Sequence, residues 1–452
     1  MTIADRWPLP DRRSAARIAT DQGAVRQQVR SLERPGNDTT ALDAVEAVVE
    51  RIRRRQLTAA REHATPFVRL ATPVRARAAL AAEGKLVIDG DDAQLARCRE
   101  ILTGYEAADR GGRHPSRRRT RVFRSRNRSE EQLRAAARRL REEVGVRASV
   151  NAIVPLGYVI KGDSYPGATV APAPFASNGA TAPVRVAVID TGMTAAPRGD
   201  GWDTGVVRDG VDPVNVIEPL DRIDWFGGHG TFATGIVRQI APDAEVVVYR
   251  FTGSDGLGTD ESAADLMLQA VDDAAGKRLI INASFGAPAV DGVAPPAMRE
   301  AVEHLAAAHP EVLIVASAGN DGQDVPLYPA AFPGVTAVGA LTSTLTPAPF
   351  SNKGSWVDCS TVGVGVVSTF VEGKLPPEND PTLGPDVTFG ADAWATWSGT
   401  SFTAPQIAGA VAALCGEDAA LQPRAALTAL TAGRPTLAGY GTVVHLLPGT
   451  PI

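Results

Sequence analysis

The chain has 452 residues, 44 % of them apolar, and a formal net charge of −5, which is enough to bury a large core and to build two to three domains. No run approaches the ~20 apolar residues needed to span a bilayer, so no membrane association is expected. The opening Met1–Arg6 has neither the basic nor the apolar region of an export signal, and Cys98, Cys359 and Cys415 form no C-x-x-C pair, so neither a disulfide framework nor a zinc site is indicated and a cytoplasmic location is expected.

The charge is unevenly divided. Residues 1–150 carry 32 basic and 20 acidic side chains, a net +12, whereas the remainder carries 14 against 31, a net −17. Such halves can attract each other within one chain, or the basic half can meet an external polyanion.

In chain order, residues 1–80 read as a mainly helical N-terminal region, with Ala41–Arg55 placing apolar residues at three- and four-residue spacing opposite charged ones. Residues 81–161 read as a small α+β module: strand Lys85–Ile88, helix Asp92–Tyr105, an Arg-rich stretch from Arg110 to Arg119, strand Arg121–Phe123, a helix capped by Ser129, and strand Asn151–Ile160. Arg117–Arg119 with Arg121, Arg124, Arg126 and Arg128 form a basic run, but Phe123 is its one interleaved aromatic, and such a run is usually a solvated face; nucleic acid is the least favoured partner. Residues 162–183, dense in Gly, Pro, Ala and Ser, read as an exposed linker.

From 184 to 452 the pattern is apolar strand then helix, repeated: Val184–Ile189, a helix from His229, Glu245–Phe251, a helix from Asp260, Leu279–Ala283, a helix from Pro296, and Val312–Ala316. This predicts an α/β domain with a doubly wound, mostly parallel sheet, whose functional groups gather at the carboxyl ends of the strands.

Three short motifs stand at such ends. Asp190-Thr191-Gly192 closes the first strand, Gly228-His229-Gly230-Thr231 opens an apolar helix, and Gly399-Thr400-Ser401 precedes another that begins Ala404-Pro405. Alone, each has an ordinary reading: a turn aspartate, a core histidine, an N-cap serine. Together they place Asp, His and Ser in one of the chain orders of a nucleophilic triad, in which His229 takes the Ser401 proton and Asp190 holds the imidazole's tautomer.

With Ala316-Ser317-Ala318-Gly319-Asn320 as a fourth motif, the stretch from about Val184 to Arg434 resembles the subtilisin, or subtilase, family of serine peptidases. The resemblance implies a serine endopeptidase acting on protein or peptide substrates, with Asp190, His229 and Ser401 catalytic and Asn320 in the oxyanion hole. It implies substrate contacts at Ser284, Phe285 and Gly286, at Ser317, Ala318 and Gly319, and at Leu327, which stands where many relatives have glycine at the pocket floor. Tyr249–Gly258 resembles the edge that pairs with an extended peptide. Phe232 replaces the second histidine common in the family, and Gly230–Pro242 runs without the inserted calcium loop, so no cofactor is required and no metal site is assigned, with the acidic loops of this half leaving calcium open as a ligand elsewhere. The module's position and charge suggest intramolecular inhibition by residues 1–161, the alternatives being a partner-sensing or oligomerising domain and, last, a nucleic-acid-binding module. The competing reading is a catalytically silent subtilisin-fold scaffold that binds peptides or partners.

Overall fold

The computed structural model describes residues 6–33, 67–69, 79–107, 119–156, 165–177, 179–181, 184–216, 220–375 and 386–452. The helix expected over 41–55, most of the Arg-rich stretch and residues 157–160 lie outside the described residues. Among those described, no helix is long and apolar enough to cross a membrane.

The first element is helix α1 (Ala15–Glu33), followed by strand β1 (Phe67–Arg69). The α+β module then builds β2 (Leu80–Asp89), α2 (Asp92–Ile101), β3 (Glu106–Ala107), β4 (Thr120–Arg124), α3 (Glu130–Val144) and β5 (Arg147–Pro155). Capping boxes start both of its helices: Asp91 with Gln94, and Ser129 with Gln132. Strand β5 begins four residues earlier than the apolar run at Asn151 suggests, because Ala148 and Val150 already alternate into the module core. Antiparallel pairing of β5, β2, β4 and β3, with β1 also on β2, makes one sheet. Leu86 and Ile88 face α2 and α3, while Val87, Ala152 and Val154 join the core beneath the next domain's helices.

Strand β6 (Gly167–Thr169) falls inside the stretch read as a linker. Composition there favours a connector, yet β6 pairs with a later strand and α1 presses on it, with Gly167 so close to the Ala24 side chain that a Cβ would stand 2.7 Å from it.

The large domain supplies β7 (Arg185–Asp190), β8 (Val207–Arg208), α4 (His229–Ile240), β9 (Glu245–Arg250), β10 (Leu257–Thr259), α5 (Asp260–Ala274), β11 (Leu279–Ala283), α6 (Pro296–Ala308), β12 (Leu313–Ser317), β13 (Val335–Leu341) and β14 (Cys359–Val362). After these come β15 (Val366–Thr369), β16 (Gly373–Leu375), β17 (Val387–Phe389), β18 (Trp394–Trp397), a 3₁₀ turn at Thr400–Phe402, α7 (Ala404–Glu417), α8 (Pro423–Thr431), β19 (Thr436–Leu437) and β20 (Gly441–Val443).

Nine strands form the central sheet in the order β19-β20-β14-β13-β12-β11-β7-β9-β8, parallel except for β19 with β20. Its strands alternate between two cores: Val186 and Val188 pack toward α4 and α7, Ala187 and Ile189 toward α5 and α6. The chain runs from β7 outward to β9, then crosses back to β11 on the other side of β7, so the strand order reverses at β7. In open sheets of this kind, the carboxyl ends at that reversal form the crevice where ligands bind.

Candidate active site

Asp190 is the last residue of β7, and His229 is the first of α4. Both are buried. The His229 Nδ1 lies 2.8 and 3.0 Å from the two carboxylate oxygens of Asp190. One of those oxygens also accepts from the Thr191 amide at 2.8 Å, which fixes the carboxylate plane. The imidazole is held edge-on by Phe226 and Trp397 and lies 5.2 Å, centroid to centroid, from Phe402. Two glycines make this approach feasible. Gly228 has φ 85°, and a Cβ there would strike Phe370 and Val371; a Cβ on Gly230 would strike the Gly192 carbonyl.

Asp212, which the motifs do not reveal, ties these pieces together. Its carboxylate accepts from the Thr191 hydroxyl at 2.7 Å, the Gly228 amide at 2.8 Å and the Val214 amide at 2.9 Å. Thr191 in turn accepts from the Gly230 amide at 3.0 Å. Burial pushes the Asp212 carboxyl up to about 6, against the lowering effect of those donors.

Ser401 sits in the 3₁₀ turn and is buried. It caps no helix. Its hydroxyl donates to the Leu156 carbonyl at 3.1 Å and the Ser284 carbonyl at 3.3 Å, while the Ser284 hydroxyl donates to the Ser401 carbonyl at 2.8 Å. Phe402, the residue after Ser401, is a ring neighbour of His229, while the Ser401 hydroxyl is bonded to the Leu156 and Ser284 carbonyls and not to the histidine. Asn320 follows β12, and its Oδ1 accepts from the amide and the hydroxyl of Thr400, both at 2.8 Å, so the orientation of its amide group is set by the residue preceding Ser401.

The crevice is filled by the module's last strand. β5 pairs antiparallel with β10, placing Pro155, Val154 and Ile153 opposite Leu257, Gly258 and Thr259. The Leu156 amide donates to the Gly256 carbonyl at 3.0 Å, and on the other side the Gly286 amide donates to the Pro155 carbonyl at 3.2 Å. The chain therefore lies as a strand between the edge at Gly256–Gly258 and the segment at Ser284–Gly286. The resemblance marks Tyr249–Gly258 as a pairing edge, but nothing in the sequence names Ile153–Leu156 as the strand that lies on it. Pairing at an edge uses backbone groups, which carry no side-chain pattern.

The other residues picked out by sequence flank the same place. Phe285 is buried with its ring 4.4 Å from that of Phe251, and Ser317 and Ala318 are buried at the end of β12. Leu327 packs between the two segments: its side chain lies where a Cβ on Gly319 would fall and 3.4 Å from where one on Gly286 would. Gly319 itself has φ 102°. Phe232 is buried, its ring 4.5 Å from that of Phe402, and α4 runs uninterrupted from His229 to Ile240. Among the described residues, no group of three or more His, Cys, Asp or Glu is placed to hold a metal ion.

The module meets the large domain along a second front. Glu300 of α6 is buried and accepts from the Thr120 amide at 3.0 Å, the Thr120 hydroxyl at 2.8 Å and the Arg119 amide. Arg134 pairs with Asp291, and Arg147 with Glu303 at 2.9 Å. The pairing holds the Asp291 carboxyl below its usual range.

A buried Asp190–His229 pair thus stands at the reversal of a parallel α/β sheet, and the turn that holds Ser401 sets Phe402 against the histidine ring. Residues 182–440 match the profile of the subtilase family, and the chain belongs to that family. It is 31 % identical over 244 residues to a thermophilic serine proteinase of Bacillus sp. (strain AK1), a match covering 51 % of this chain and 52 % of that one. It is 30 % identical over 239 residues to subtilisin BL of Lederbergia lenta, covering 51 % of this chain and 75 % of the relative. The chain thus spans about half the length of the first of these relatives. Among solved structures, fervidolysin from Fervidobacterium pennivorans shares the fold, with a TM-score of 0.54, 19 % identity, and coverage of 81 % of this chain and 60 % of that one.

Proposed function

We propose that the chain is a serine endopeptidase whose N-terminal half restrains it by occupying its own cleft. The observation that carries this reading is the strand ending at Leu156, which lies antiparallel along the crevice with its backbone against the Ser401 hydroxyl. An extended peptide recognised by edge pairing would adopt the same path.

In the proposed reaction His229 takes the Ser401 proton as Oγ attacks the scissile carbonyl carbon, and Asp190 stabilises the imidazolium. The carbonyl oxygen becomes an oxyanion, to which the Asn320 side-chain amide and the Ser401 backbone N–H donate. Collapse breaks the C–N bond, and His229 returns its proton to the departing amine. Water then repeats the sequence on the acyl-enzyme and frees the carboxylate. Attack requires the Ser401 hydroxyl to turn from the Leu156 carbonyl toward His229. Ser284–Gly286 and Ser317–Gly319 serve as the walls of the pocket for the side chain before the scissile bond. Leu327 is its floor and favours small or medium apolar groups there.

The strand's position also supports self-cleavage at its end. Ser401 reaches the chain at Leu156, so the bond after Leu156 or after Gly157 is the one attacked. The intact protein and its Ser401→Ala form are incubated side by side and their chain masses measured. A cut at one of those two bonds in the intact form alone supports the reading; a cut confined to residues 162–183, or the same cut in both forms, contradicts it.

A further inference from the structure

We infer that residues 6–33 are a strap belonging to the catalytic unit: they brace the segment that carries Ser401 and stay on the domain when the chain is cut at the cleft. The bracing of a reactive serine rests on the function proposed above; the attachment of the strap does not.

The strap precedes the module in sequence but docks elsewhere. Trp7 is buried in the core beneath α4 and α7, and the Leu9 amide donates to the Leu446 carbonyl at 2.9 Å. Val25, Val29 and Leu32 of α1 pack on Ala340, Ala348, Phe350 and Val364. Asp21 is buried and takes Arg13 at 2.8 Å, Arg17 at 2.5 Å and the Thr169 hydroxyl at 2.5 Å, while Arg13 also donates to Thr450 at 3.2 Å. Lifting the strap would leave these charges to be resolvated and strip the apolar face at once, which is strongly unfavourable once such a pair is buried and fully bonded.

Gln28 makes the link to the site. It is 2 % exposed in a helix where a glutamine would ordinarily face water. Its Nε2 donates to the Thr396 carbonyl at 2.9 Å and the Tyr165 carbonyl at 2.6 Å, and its Oε1 accepts from the Ser398 hydroxyl at 2.7 Å. Ser398 accepts in turn from the Gly365 amide at 2.9 Å. Three residues further on is Ser401. Gln28 thus pins the end of β18 and the first residue of the turn that leads to the nucleophile, and it acts as a positioning residue.

The strap's partners named above all lie at or beyond residue 165, so a cut at residues 156–158 breaks none of these contacts. The N-terminal fragment then keeps two attachments, the module in the cleft and the strap on the opposite core. The chain from Glu33 to Ala79 ties the one to the other and keeps the module's effective concentration high. One cut is therefore insufficient to empty the cleft.

The test uses full-length Ser401→Ala protein carrying a recognition sequence for a site-specific protease between Gly162 and Asp163, with amide hydrogen exchange followed by mass spectrometry. After cutting, both chains are expected to elute together, and residues 15–33 to exchange within about twofold of the uncut rate, as for a docked helix. Gln28→Ala is expected to speed exchange at Gly365 and 396–400 roughly tenfold, the size of a lost buried hydrogen bond, while β7 is unchanged. Fast exchange of 15–33 after the cut, or no change at Gly365 and 396–400 in Gln28→Ala, overturns the inference. Should Gln28→Ala not fold, Ser398→Ala removes one arm of the same bridge and must give the effect at Gly365. In protein retaining Ser401, Gln28→Ala is expected to lower kcat about tenfold through misplacement, with KM unchanged. None of the exchange results depends on Ser401 reactivity, so an inactive protein with a protected strap defeats the peptidase reading alone.

Discussion

Replacing Asp212 with Asn should change how stability depends on pH, in a window set by the carboxyl's own surroundings. In the folded protein burial raises Asp212 from an ordinary value near 3.8 to about 6. As pH rises through this interval the unfolded chain has released the proton while the folded chain still holds it, so stability falls with rising pH there and is flat above it. A shift of about 2 units corresponds to about 3 kcal/mol, lost by the parent between pH 4 and pH 7 and not by Asp212→Asn. Urea unfolding of both proteins in a Ser401→Ala background, at pH 4, 5, 6 and 7, reads this group because titrations remote from it cancel in the difference. The parent should lose about 3 kcal/mol relative to the variant across that range. A difference that stays constant with pH, or one that moves the other way, refutes the placement of a buried, ionisable Asp212 between the Asp190 and His229 segments.

Other substitutions test separate parts of the site. Asn320→Ala should lower kcat about 10²–10³-fold with little effect on KM, the usual size for one oxyanion donor, as read by steady-state kinetics on a peptide library. Leu327→Gly should deepen the pocket and raise kcat/KM for aromatic residues before the scissile bond by about tenfold or more, in line with the worth of a few methylenes in an apolar site; an unchanged preference would move the pocket floor elsewhere. Glu300→Ala leaves the Arg119 and Thr120 donors unmet, a loss of about 2–4 kcal/mol for a buried charged acceptor, and should release the module enough to raise turnover of a small peptide by the intact chain. Equal turnover in both would mean that Glu300 does not hold the module in the cleft.

Much of the site was legible because its chemistry stands where local patterns change. Asp190 closes an apolar strand, His229 opens a helix and Ser401 stands before α7, so punctuation and periodicity placed these three motifs, while Asn320 was picked out by the resemblance to the subtilase family. The repeat of strand and helix foretold the parallel sheet, and Ser129 foretold the start of α3. What escaped were contacts between parts distant in sequence. Leu156 meets Ser401 through backbone pairing of β5 with β10, and no side-chain alternation encodes an edge-to-edge contact. Gly167–Thr169 lies in a stretch whose composition argues for a connector, yet β18 satisfies its backbone. Asp212 occupies an irregular loop after β8 and earns its place through three donors that only tertiary structure assembles. Val25, Val29 and Leu32 mark an apolar stripe on α1, but a stripe does not say which surface it covers, and Gln28 reads in sequence as one more polar helix residue.

The central claim is that Ser401 is an activated nucleophile under restraint, and labelling with a fluorophosphonate tests it most directly. Once the chain has been cut at residues 156–158 and the module displaced, the adduct mass should appear on the peptide containing Ser401, more slowly in the uncut chain, and not at all in the Ser401→Ala form. Labelling that persists in Ser401→Ala, or none in the cut and displaced protein, would contradict it.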